Sequence, residues 1–438
     1  MWAKVILACA LCIAAIPSYA VTLLRDAEVE RGLRSIAQPI FQAAGLSASR
    51  TKILLVDNQS LNAFVIDGSA IFIHSGLIMR MGRVEELQAV IAHEAAHIAN
   101  GHLARRAANF QNARTAAGIG TALSLIVGAA AGSPEAGAAA AVGSSGSALR
   151  RFFGHTRAEE SSADQSGGRY MVRAGIDPSA AVDVMRLFRG QEALNIGRQD
   201  PYVRTHPLTR DRIRALEAFA AGNAGDYPTP ALNAAWFEII QGKISAYSRA
   251  PSWTLRRTRG QNDHVALMRQ AIAHHRKPDR NKTRATLKRL VAKAPDNPYV
   301  HELDGQLKLE GRDFDAAVAA YGRAVRLAPN EPLILGGYGR ALLAVGQNAK
   351  ARDTLERARA RDPLDGRILR DLGTAYAKTG NNGMASLSIA ERYALRGRLK
   401  DAAIHANRAA GLLPRGSAPW QRANDVLAAA KTSEKGKR

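Results

Sequence analysis

Cysteine is almost absent from this chain: two of its 438 residues are cysteine, and both Cys9 and Cys12 lie near the N-terminus. The rest of the chain therefore has no thiol that could act as a catalytic nucleophile, and it cannot form a disulfide framework. Aromatic residues make up only 5% of the sequence, and no segment has the pattern of a nucleic-acid-binding module. We therefore expect no nucleic-acid partner, because base-stacking surfaces depend on aromatic side chains.

Acidic residues are also in short supply. The 38 Asp and Glu residues face 61 Lys and Arg residues, which gives a formal net charge of +23. The excess is concentrated in residues 228–438, where 38 basic residues face 19 acidic ones. A surface this basic attracts anionic partners, such as acidic proteins or lipid headgroups. We therefore expect contact with anionic surfaces, including peripheral contact with a membrane.

Long apolar runs are missing apart from one near the N-terminus. There Lys4 is followed by the apolar residues 5–16 and by Ser18-Tyr19-Ala20. A positive charge, a short apolar stretch and a small-x-small end are typical of a secretory signal peptide. The run is short for a membrane span, although an uncleaved anchor is the alternative. The pattern predicts that the chain is exported and that the signal peptide is cleaved after Ala20. An exported chain without cysteine in its mature part suits the bacterial periplasm.

What the sequence does contain is a metal-binding pattern, H-E-A-A-H at residues 93–97, preceded by the helix-forming residues 84–92. Histidines four positions apart lie on one face of a helix, so both imidazoles can reach one metal ion. The glutamate between them is typical of zinc peptidases, in which it is the general base. The pattern predicts Zn²⁺ ligands at His93 and His97 and a base at Glu94. A solvent-facing helix surface is the alternative.

A catalytic zinc ion requires a third protein ligand, whose position identifies the class of peptidase. The metzincin spacing would place glycine at position 100 and histidine at position 103. This chain has Asn100 and Leu103, and His102 comes one residue early. We therefore exclude metzincin spacing and expect His102 to be a surface or structural histidine.

A better third ligand lies downstream, in the segment R-A-E-E-S-S-A-D at residues 157–164. Glu160 and Asp164 are four residues apart and share a helix face. One carboxylate can therefore bind the metal while the other orients a ligand histidine through its free ring N–H. Glu159 points about 100° away and is the weaker choice. We expect Glu160 to be the third zinc ligand and Asp164 to support the ligand shell.

The order of these motifs resembles that of the M48 metallopeptidases, which belong to the gluzincins. Further likeness lies in R-T-H-P-L at 204–208, in N-A-F at 62–64 and in I-F-I-H-S-G-L at 71–77. The resemblance covers roughly residues 25–220, and it implies one catalytic Zn²⁺ per chain in an α+β gluzincin domain with a small β-sheet. Strands are expected at 53–56, 63–66 and 70–74.

The resemblance also implies roles for residues outside the helix. His206, in the T-H-P element, lies near the metal in this family, either as a fourth ligand that blocks the site at rest or as a stabiliser of the oxyanion. A histidine before proline is held extended in a loop, and a purely structural role is the remaining alternative. The strand around Ile71, Phe72 and Ile73 is expected to present an edge beside the zinc, to which a substrate adds as an extended strand.

Residues 115–149 lie between the two metal motifs and contain one charged residue, Glu135, in a run rich in Ala, Gly and Ser. Three structures are consistent with this composition: a mobile lid over the zinc, a segment that contacts the membrane surface, or a buried or membrane-spanning hairpin. The weak hydrophobicity argues against a stable span. We favour the lid, because its glycine-rich flanks would allow a hinge.

The second half of the chain is repetitive. Pro295, Pro329 and Pro363 are spaced 34 residues apart, and an Ala-rich helical segment precedes each. A 34-residue helix–turn–helix period is typical of tetratricopeptide repeats, whose units bury their apolar faces only against their neighbours. We expect about four such units and a final helix, with a groove that binds peptides.

Glycines support the same period. Gly311, Gly346 and Gly380 recur at intervals of 35 and 34 residues, at the turn between the paired helices. Gly397 follows 17 residues after Gly380, which predicts a shift of half a unit. Such a solenoid is a binding module and not a catalyst.

These features predict a mainly α fold in which a gluzincin domain precedes an α-solenoid. An exported M48 domain followed by such repeats resembles a group of periplasmic M48 peptidases, and this resemblance implies an endopeptidase for the quality control and assembly of outer-membrane proteins. Its substrates would be unfolded or misassembled outer-membrane proteins, and its repeat groove would hold the assembly machinery. The alternative is a chaperone-like assembly factor in which proteolysis is secondary. The expected divisions are a signal peptide (1–20), a metallopeptidase domain (21–227), connecting helices (228–261), the solenoid (262–430) and a disordered charged tail (431–438).

Overall fold

The computed structural model of the protein describes residues 23–66, 68–105, 156–191, 194 and 198–435. The predicted signal peptide and the Ala/Gly-rich segment 115–149 lie outside these ranges, so both stay predictions. The predicted fold class is confirmed, since a helical domain with a small sheet is followed by a long array of helix pairs. Within the described ranges, none of the helices is both long and apolar enough to cross a membrane.

The sheet consists of β1 (Leu23–Leu24), β2 (Lys52–Val56), β3 (Ala63–Val65) and β4 (Ala70–His74). Their order across the sheet is β1-β2-β4-β3. The central strands β2 and β4 are parallel, and each outer strand is antiparallel to its neighbour. The three strands that the sequence predicts are present to within one residue at each end.

β4 lies in the interior of this sheet and not at its edge. It pairs with β2 on one side, and Ile71, Phe72 and Ile73 pair with β3 on the other. The three side chains are also buried. The expectation of a free edge at these residues is therefore corrected, because β3 already uses their hydrogen-bonding groups. The outer edge belongs to β3.

Helices pack against the face of the sheet that carries Ile53, Leu55, Ile71 and Ile73, and they form one apolar core with it. The first of them begins where Asp26 accepts hydrogen bonds from the backbone N–H groups of Glu28 and Val29, which satisfies donors that a helix start leaves free. The described helices of this domain are α1 (Ala27–Ala43), α2 (Ser75–Arg80), α3 (Val84–Ala99), α4 (Arg157–Arg173), α5 (Ser179–Leu187), α6 (Pro201–Thr205) and α7 (Arg210–Gly222).

Two helices, α8 (Ala231–Ser248) and α9 (Pro251–Arg257), follow in the predicted connecting region. α8 packs closely along α1, since a Cβ on Gly32 would lie 2.9 Å from the Trp236 ring. Lys243 of α8 is 1% exposed. Its ammonium lies 2.9 Å from Asp26 and 3.0 Å from Glu28, at the start of α1. Of the two connecting helices, α8 therefore packs as part of the first domain's core.

The repeat array consists of four helix pairs, followed by two further helices after the predicted half-unit shift. The last helix runs through Lys435, so the tail predicted to be disordered from residue 431 is helical that far. The helices are α10 (His264–Arg276), α11 (Arg280–Lys293), α12 (Pro298–Glu310), α13 (Phe314–Leu327), α14 (Pro332–Ala344), α15 (Asn348–Arg361), α16 (Gly366–Lys378), α17 (Asn382–Leu395), α18 (Leu399–Leu412) and α19 (Ala418–Lys435).

The turn inside these pairs contains a residue in the left-handed conformation. Gly346 and Gly380 have φ angles of +76° and +79°, which glycine adopts without a Cβ penalty. In the preceding unit Arg312, with φ +63°, takes this position instead of Gly311. The left-handed residues 312, 346 and 380 are each 34 residues apart. The interval of 35 residues between Gly311 and Gly346 arises because Gly311 comes one residue before the left-handed position of its unit.

The array packs against the first domain. The Arg25 side chain is 5% exposed, with Nη2 2.6 Å from Asp362 Oδ2 and Nη1 3.1 Å from Asp365 Oδ2. Ala27 is buried among apolar residues of α13 and α14. Residues 24–29 therefore lie on the inner face of the array, which we define as the face formed by α12, α14 and α16. Part of the groove that the sequence predicts for partners is filled by the chain itself.

Candidate metal centre

α3 places the two histidines of the H-E-A-A-H motif side by side. The helix runs from Val84 to Ala99 with acidic residues in its first turn, and it ends at Asn100. Nε2 of His93 lies 3.1 Å from Nε2 of His97, as the four-residue spacing on one helix face requires. Both side chains are buried, so a solvent-facing helix surface is excluded.

α4 places Glu160 beside this pair. Thr156 and Glu159 form a capping box at the start of the helix, so the Glu159 carboxylate faces the helix terminus. Glu160 points inward and is fully buried. Its Oε1 lies 3.3 Å from His97 Nε2, and its Oε2 lies 3.4 Å from His93 Nε2. The structure therefore brings Glu160, and not Glu159, to the histidine pair.

His206 completes the cluster from the loop after α6. Its Nδ1 lies 3.0 Å from Glu160 Oε1 and 3.3 Å from His93 Nε2. One ligand atom each from His93, His97, Glu160 and His206 lies within 4.8 Å of the other three. Three histidine nitrogens and one carboxylate oxygen form a ligand set that is suitable for a divalent metal ion such as Zn²⁺. The residues present therefore fit a metal centre, with His206 in the position of a fourth ligand.

Asp164 and Arg212 support the cluster from behind. Asp164 Oδ1 lies 3.0 Å from His93 Nδ1, so that ring nitrogen can donate to the carboxylate while Nε2 faces the cluster. Arg212, at the start of α7, binds Asp164 through Nε at 2.7 Å and Glu160 through Nη1 at 2.8 Å. Its Nη1 also donates to the Pro207 carbonyl, beside the His206 loop.

His102 supports the other histidine. Its Nδ1 lies 2.8 Å from Nδ1 of His97, and the side chain is 1% exposed. The helix ends before it, and Gly101 has φ +67°, which turns the chain back toward α3. Of the two expectations for His102, the structure excludes the surface position and agrees with the structural one.

Glu94 lies in the same buried environment. Neither of its carboxylate oxygens has a hydrogen-bond partner among the described residues, although Oε1 lies 3.3 Å from His206 Nε2. Burial raises the pKa of Glu94 above its usual range. A buried carboxylate with unused acceptor oxygens, next to a metal-ligand cluster, is what a general base requires.

The pKa values of the two helix histidines are shifted in opposite directions. Burial by itself would lower the pKa of His93, but the carboxylates of Glu160 and Asp164 outweigh it and raise this pKa to about 10. Burial lowers the pKa of His97 to about 3. Burial by itself would raise the pKa of Glu160, but His206 and His93 hold it well below its usual range. The carboxylate is therefore ionised, as a metal ligand must be.

Residues 24–220, which include the whole cluster, match Peptidase family M48. The chain carries an M48 peptidase domain. Residues 279–332 and 308–372 match tetratricopeptide repeats, which confirms the repeat class predicted from the 34-residue period. The protein is therefore a metallopeptidase with a tetratricopeptide array.

Two similar proteins share both parts. The beta-barrel assembly-enhancing protease of Escherichia coli (strain K12) is 24% identical over 388 residues, which span 87% of this chain and 78% of that protein. The protein of the same name in Yersinia pestis is 26% identical over 359 residues, 80% of this chain and 72% of that one. The mitochondrial metalloendopeptidase OMA1 of Schizosaccharomyces pombe is 29% identical over 205 residues, 46% of this chain and 54% of its own.

Solved structures with some likeness are repeat proteins. MamA AMB-1 is 22% identical, with a TM-score of 0.32, and the match covers 36% of this chain and 94% of that one. YrrB, described as a TPR protein with an unusual peptide-binding site, is 15% identical with a TM-score of 0.33, and the match covers 39% and 91% of the two chains.

Two supporting residues were not predicted as parts of the site. Arg212 lies outside the motifs that predicted the site, although two buried carboxylates on one helix, Glu160 and Asp164, already require a cation nearby. His102 has no comparable signal, because five residues from His97 is the wrong spacing for one helix face. Only the turn at Gly101 brings it back.

Proposed function

We propose that this metallopeptidase is a zinc endopeptidase, with His93, His97 and Glu160 as the ligands of one Zn²⁺ and Glu94 as the general base. The observation that carries the proposal is the convergence of these side chains from α3 and α4 in one buried cluster. A zinc ion held there supplies Lewis-acid chemistry, because it polarises a carbonyl group and lowers the pKa of water.

Glu94 performs the proton transfers in this proposal. Its carboxylate oxygens, which have no hydrogen-bond partner among the described residues, can accept a proton from the attacking water and later deliver it to the leaving amine. The raised pKa of Glu94 that follows from burial brings the carboxylate closer to the pH at which both steps are efficient. Asp164 and Arg212 hold His93 and Glu160 in place.

His206 acts as a gate in this proposal. Its Nδ1 reaches the ligand cluster, while its Nε2 lies 3.3 Å from the Ala63 carbonyl of the edge strand β3. In this position the imidazole occupies the place of a fourth metal ligand. It also contacts the Ala63 carbonyl oxygen, which an added substrate strand would need as a hydrogen-bond acceptor. This supports the blocking role, in which His206 has to move before a substrate can bind. After moving, the same imidazole can stabilise the oxyanion.

A substrate would then add to β3 as an extended strand. β3 is the outer strand of the sheet on this side, and its residue Ala63 is already in contact with the cluster through His206. Strand addition supplies main-chain hydrogen bonds without strong side-chain selection, which suits an enzyme that cleaves unfolded polypeptides. We therefore place substrate binding at β3 rather than at β4.

The proposed substrates are unfolded or misassembled outer-membrane proteins, and the proposed location is the periplasm. Two observations support this: the signal-peptide pattern of residues 1–20 and the name beta-barrel assembly-enhancing protease carried by relatives that share both domains. The tetratricopeptide array would dock on the assembly machinery through the parts of its inner face that residues 24–29 leave open. The net basic charge of residues 228–438 as a whole would attract anionic partners over a longer range.

The test is a comparison of the wild-type chain with Glu94→Gln. Both proteins should contain one zinc per chain by elemental analysis, because the ligands are unchanged. Cleavage of an unfolded outer-membrane β-barrel protein should fall by roughly 10²–10⁴-fold in the variant. Retention of more than about a tenth of the wild-type rate would contradict the assignment of Glu94.

The ligands are tested by zinc content in the variants His93→Ala, His97→Ala and Glu160→Ala, each of which should lose most of the metal. Glu159→Ala is the matched control, since this neighbouring carboxylate serves the helix cap and its loss should leave the zinc in place. Full zinc content in Glu160→Ala would move the third ligand to His206. Restoration of envelope function by Glu94→Gln in cells would favour the chaperone-like alternative.

A further inference from the structure

A second polar site lies away from the metal centre, between the two halves of the chain. A partly enclosed cavity of about 260 Å³ is bounded by residues 24–29, by α8 and by the inner face of the repeats. Glu302 of α12 and Tyr247 of α8 line it. Glu302 is only 8% exposed. Its Oε2 and the Tyr247 hydroxyl have no hydrogen-bond partner within the described part of the chain.

Glu302 forms no direct ion pair within the described part of the chain, although basic side chains line the same cavity and the Lys243 ammonium acts to lower the pKa of its carboxyl group. Each of these basic side chains already forms an ion pair with another acid. A buried carboxylate without a partner is costly, and burial raises the pKa of Glu302 to about 8. The carboxyl group is therefore available to a cation from outside the protein. The existing pairs are Arg25–Asp365, Lys243–Asp26, Arg340–Asp371 and Arg367–Asp365.

The chain's own N-terminal segment shows how this face holds a cation. Arg25 follows strand β1 and inserts its guanidinium between Asp362 and Asp365, at 2.6 and 3.1 Å. The segment thus lies on the inner face with a buried basic side chain, as a peptide ligand of a repeat groove would. The cavity beside Glu302 offers a further acidic group on the same face.

We propose that the cavity beside Glu302 binds the side chain of an arginine or lysine from an extended polypeptide lying on the inner face of the repeats. Its volume is below the ~300–1,000 Å³ of pockets for drug-sized ligands, so it suits one side chain better than a whole small molecule. The choice of a polypeptide rests on the proposed function, whereas the choice of a cation rests on the cavity alone. The Tyr247 hydroxyl would accept a hydrogen bond from the same group.

The test is a binding measurement on the full-length chain carrying Glu94→Gln, so that the probe is not cleaved. The probes are a fluorescein-labelled octapeptide with one central arginine and the same peptide with citrulline, which keeps the shape but is neutral. We expect the arginine peptide to bind about ten-fold more tightly. Adding Glu302→Gln should abolish this preference. Adding Glu238→Gln, which removes an exposed carboxylate of α8, should leave it unchanged.

Equal affinity for the two peptides, no binding of either peptide, or an unchanged preference in the Glu302→Gln protein would each overturn the proposal. If Glu302→Gln alters thermal unfolding, Glu302→Met is the second variant, because an apolar side chain of similar length is tolerated at a buried charged position. Cleavage of an unfolded outer-membrane protein by the wild-type chain is measured separately. The proposed enzymatic function can therefore hold even if this preference fails.

Discussion

Arg212 binds Asp164 through two hydrogen bonds, with Nε 2.7 Å from Oδ2 and Nη2 2.9 Å from Oδ1. The same guanidinium reaches Glu160 and the Pro207 carbonyl. One side chain thus joins a proposed metal ligand, the carboxylate that orients His93 and the loop that carries His206. The planar fork of arginine matches this set of acceptors, whereas lysine offers a single nitrogen.

Arg212→Lys is therefore expected to weaken zinc binding by about 10–100-fold, the usual effect of removing a group that orients metal ligands. Zinc retention during titration with a chelator measures the change. Arg214→Lys is the control, because this arginine is exposed on the same helix and its replacement should leave the titration unchanged. Equal retention in the two variants would show that Arg212 does not position the ligands.

Gly167 allows α4 to lie against the backbone of α3. A Cβ at this position would be 3.3 Å from the Ala92 carbonyl group and from the His93 nitrogen. Gly167→Val is expected to destabilise the protein by about 1–3 kcal/mol and to lower zinc affinity, because Glu160 moves with α4. Urea unfolding and zinc titration measure both effects. Gly222→Val is the control, since an added Cβ there meets no atom within 4 Å. Zinc affinity equal to that of the wild type in the Gly167 variant would contradict this account.

Lys243 is expected to be important for stability. It is 1% exposed and pairs with Asp26 and Glu28, so Lys243→Met removes the ammonium that lies between two carboxylates in the protein interior. The expected loss is about 3–5 kcal/mol, measured by urea unfolding. Lys282→Met removes an exposed pair and should cost under about 1 kcal/mol. If the two variants lose similar stability, the buried pair is not a main contributor.

His74 predicts a pH dependence of stability. The ring is 6% exposed, and burial lowers its pKa from 6.5 to about 4 despite a hydrogen bond with Ser60. Because the folded-state pKa is depressed, the unfolded chain binds the additional proton between pH 6.5 and 4. Stability is therefore fully present above pH 6.5 and is lost as the pH falls, by up to about 3 kcal/mol from this residue.

The measurement is the free energy of unfolding of the wild type and of His74→Asn at several pH values. Other groups titrate in both proteins, so the difference between the two curves isolates the histidine. The difference should change between pH 6.5 and 4 and stay constant above this range. Parallel curves across the whole range would show that His74 has the same pKa in the folded and unfolded states.

Local patterns in the sequence predicted much of this protein. The spacing of His93 and His97 places two ligands on one helix face whatever the rest of the fold, since a helix repeats every 3.6 residues. The 34-residue period predicted paired helices because each unit packs mainly on its neighbours. The strands and the pairing of Glu160 with the helix histidines also followed from motifs, with the resemblance to M48 peptidases as the guide.

The tertiary structure decided what depends on contacts between distant segments. The sequence does not show which strand forms the edge of the sheet, so an open edge was predicted at β4, whereas β3 forms it. His102 reaches His97 only because the helix ends and the chain turns at Gly101, and Arg212 reaches Glu160 only because α7 packs against α4. Residues 24–29 fill part of the repeat groove for the same reason. Periodicity describes one element at a time, whereas the relative placement of elements is set by the packing of side chains far apart in the sequence.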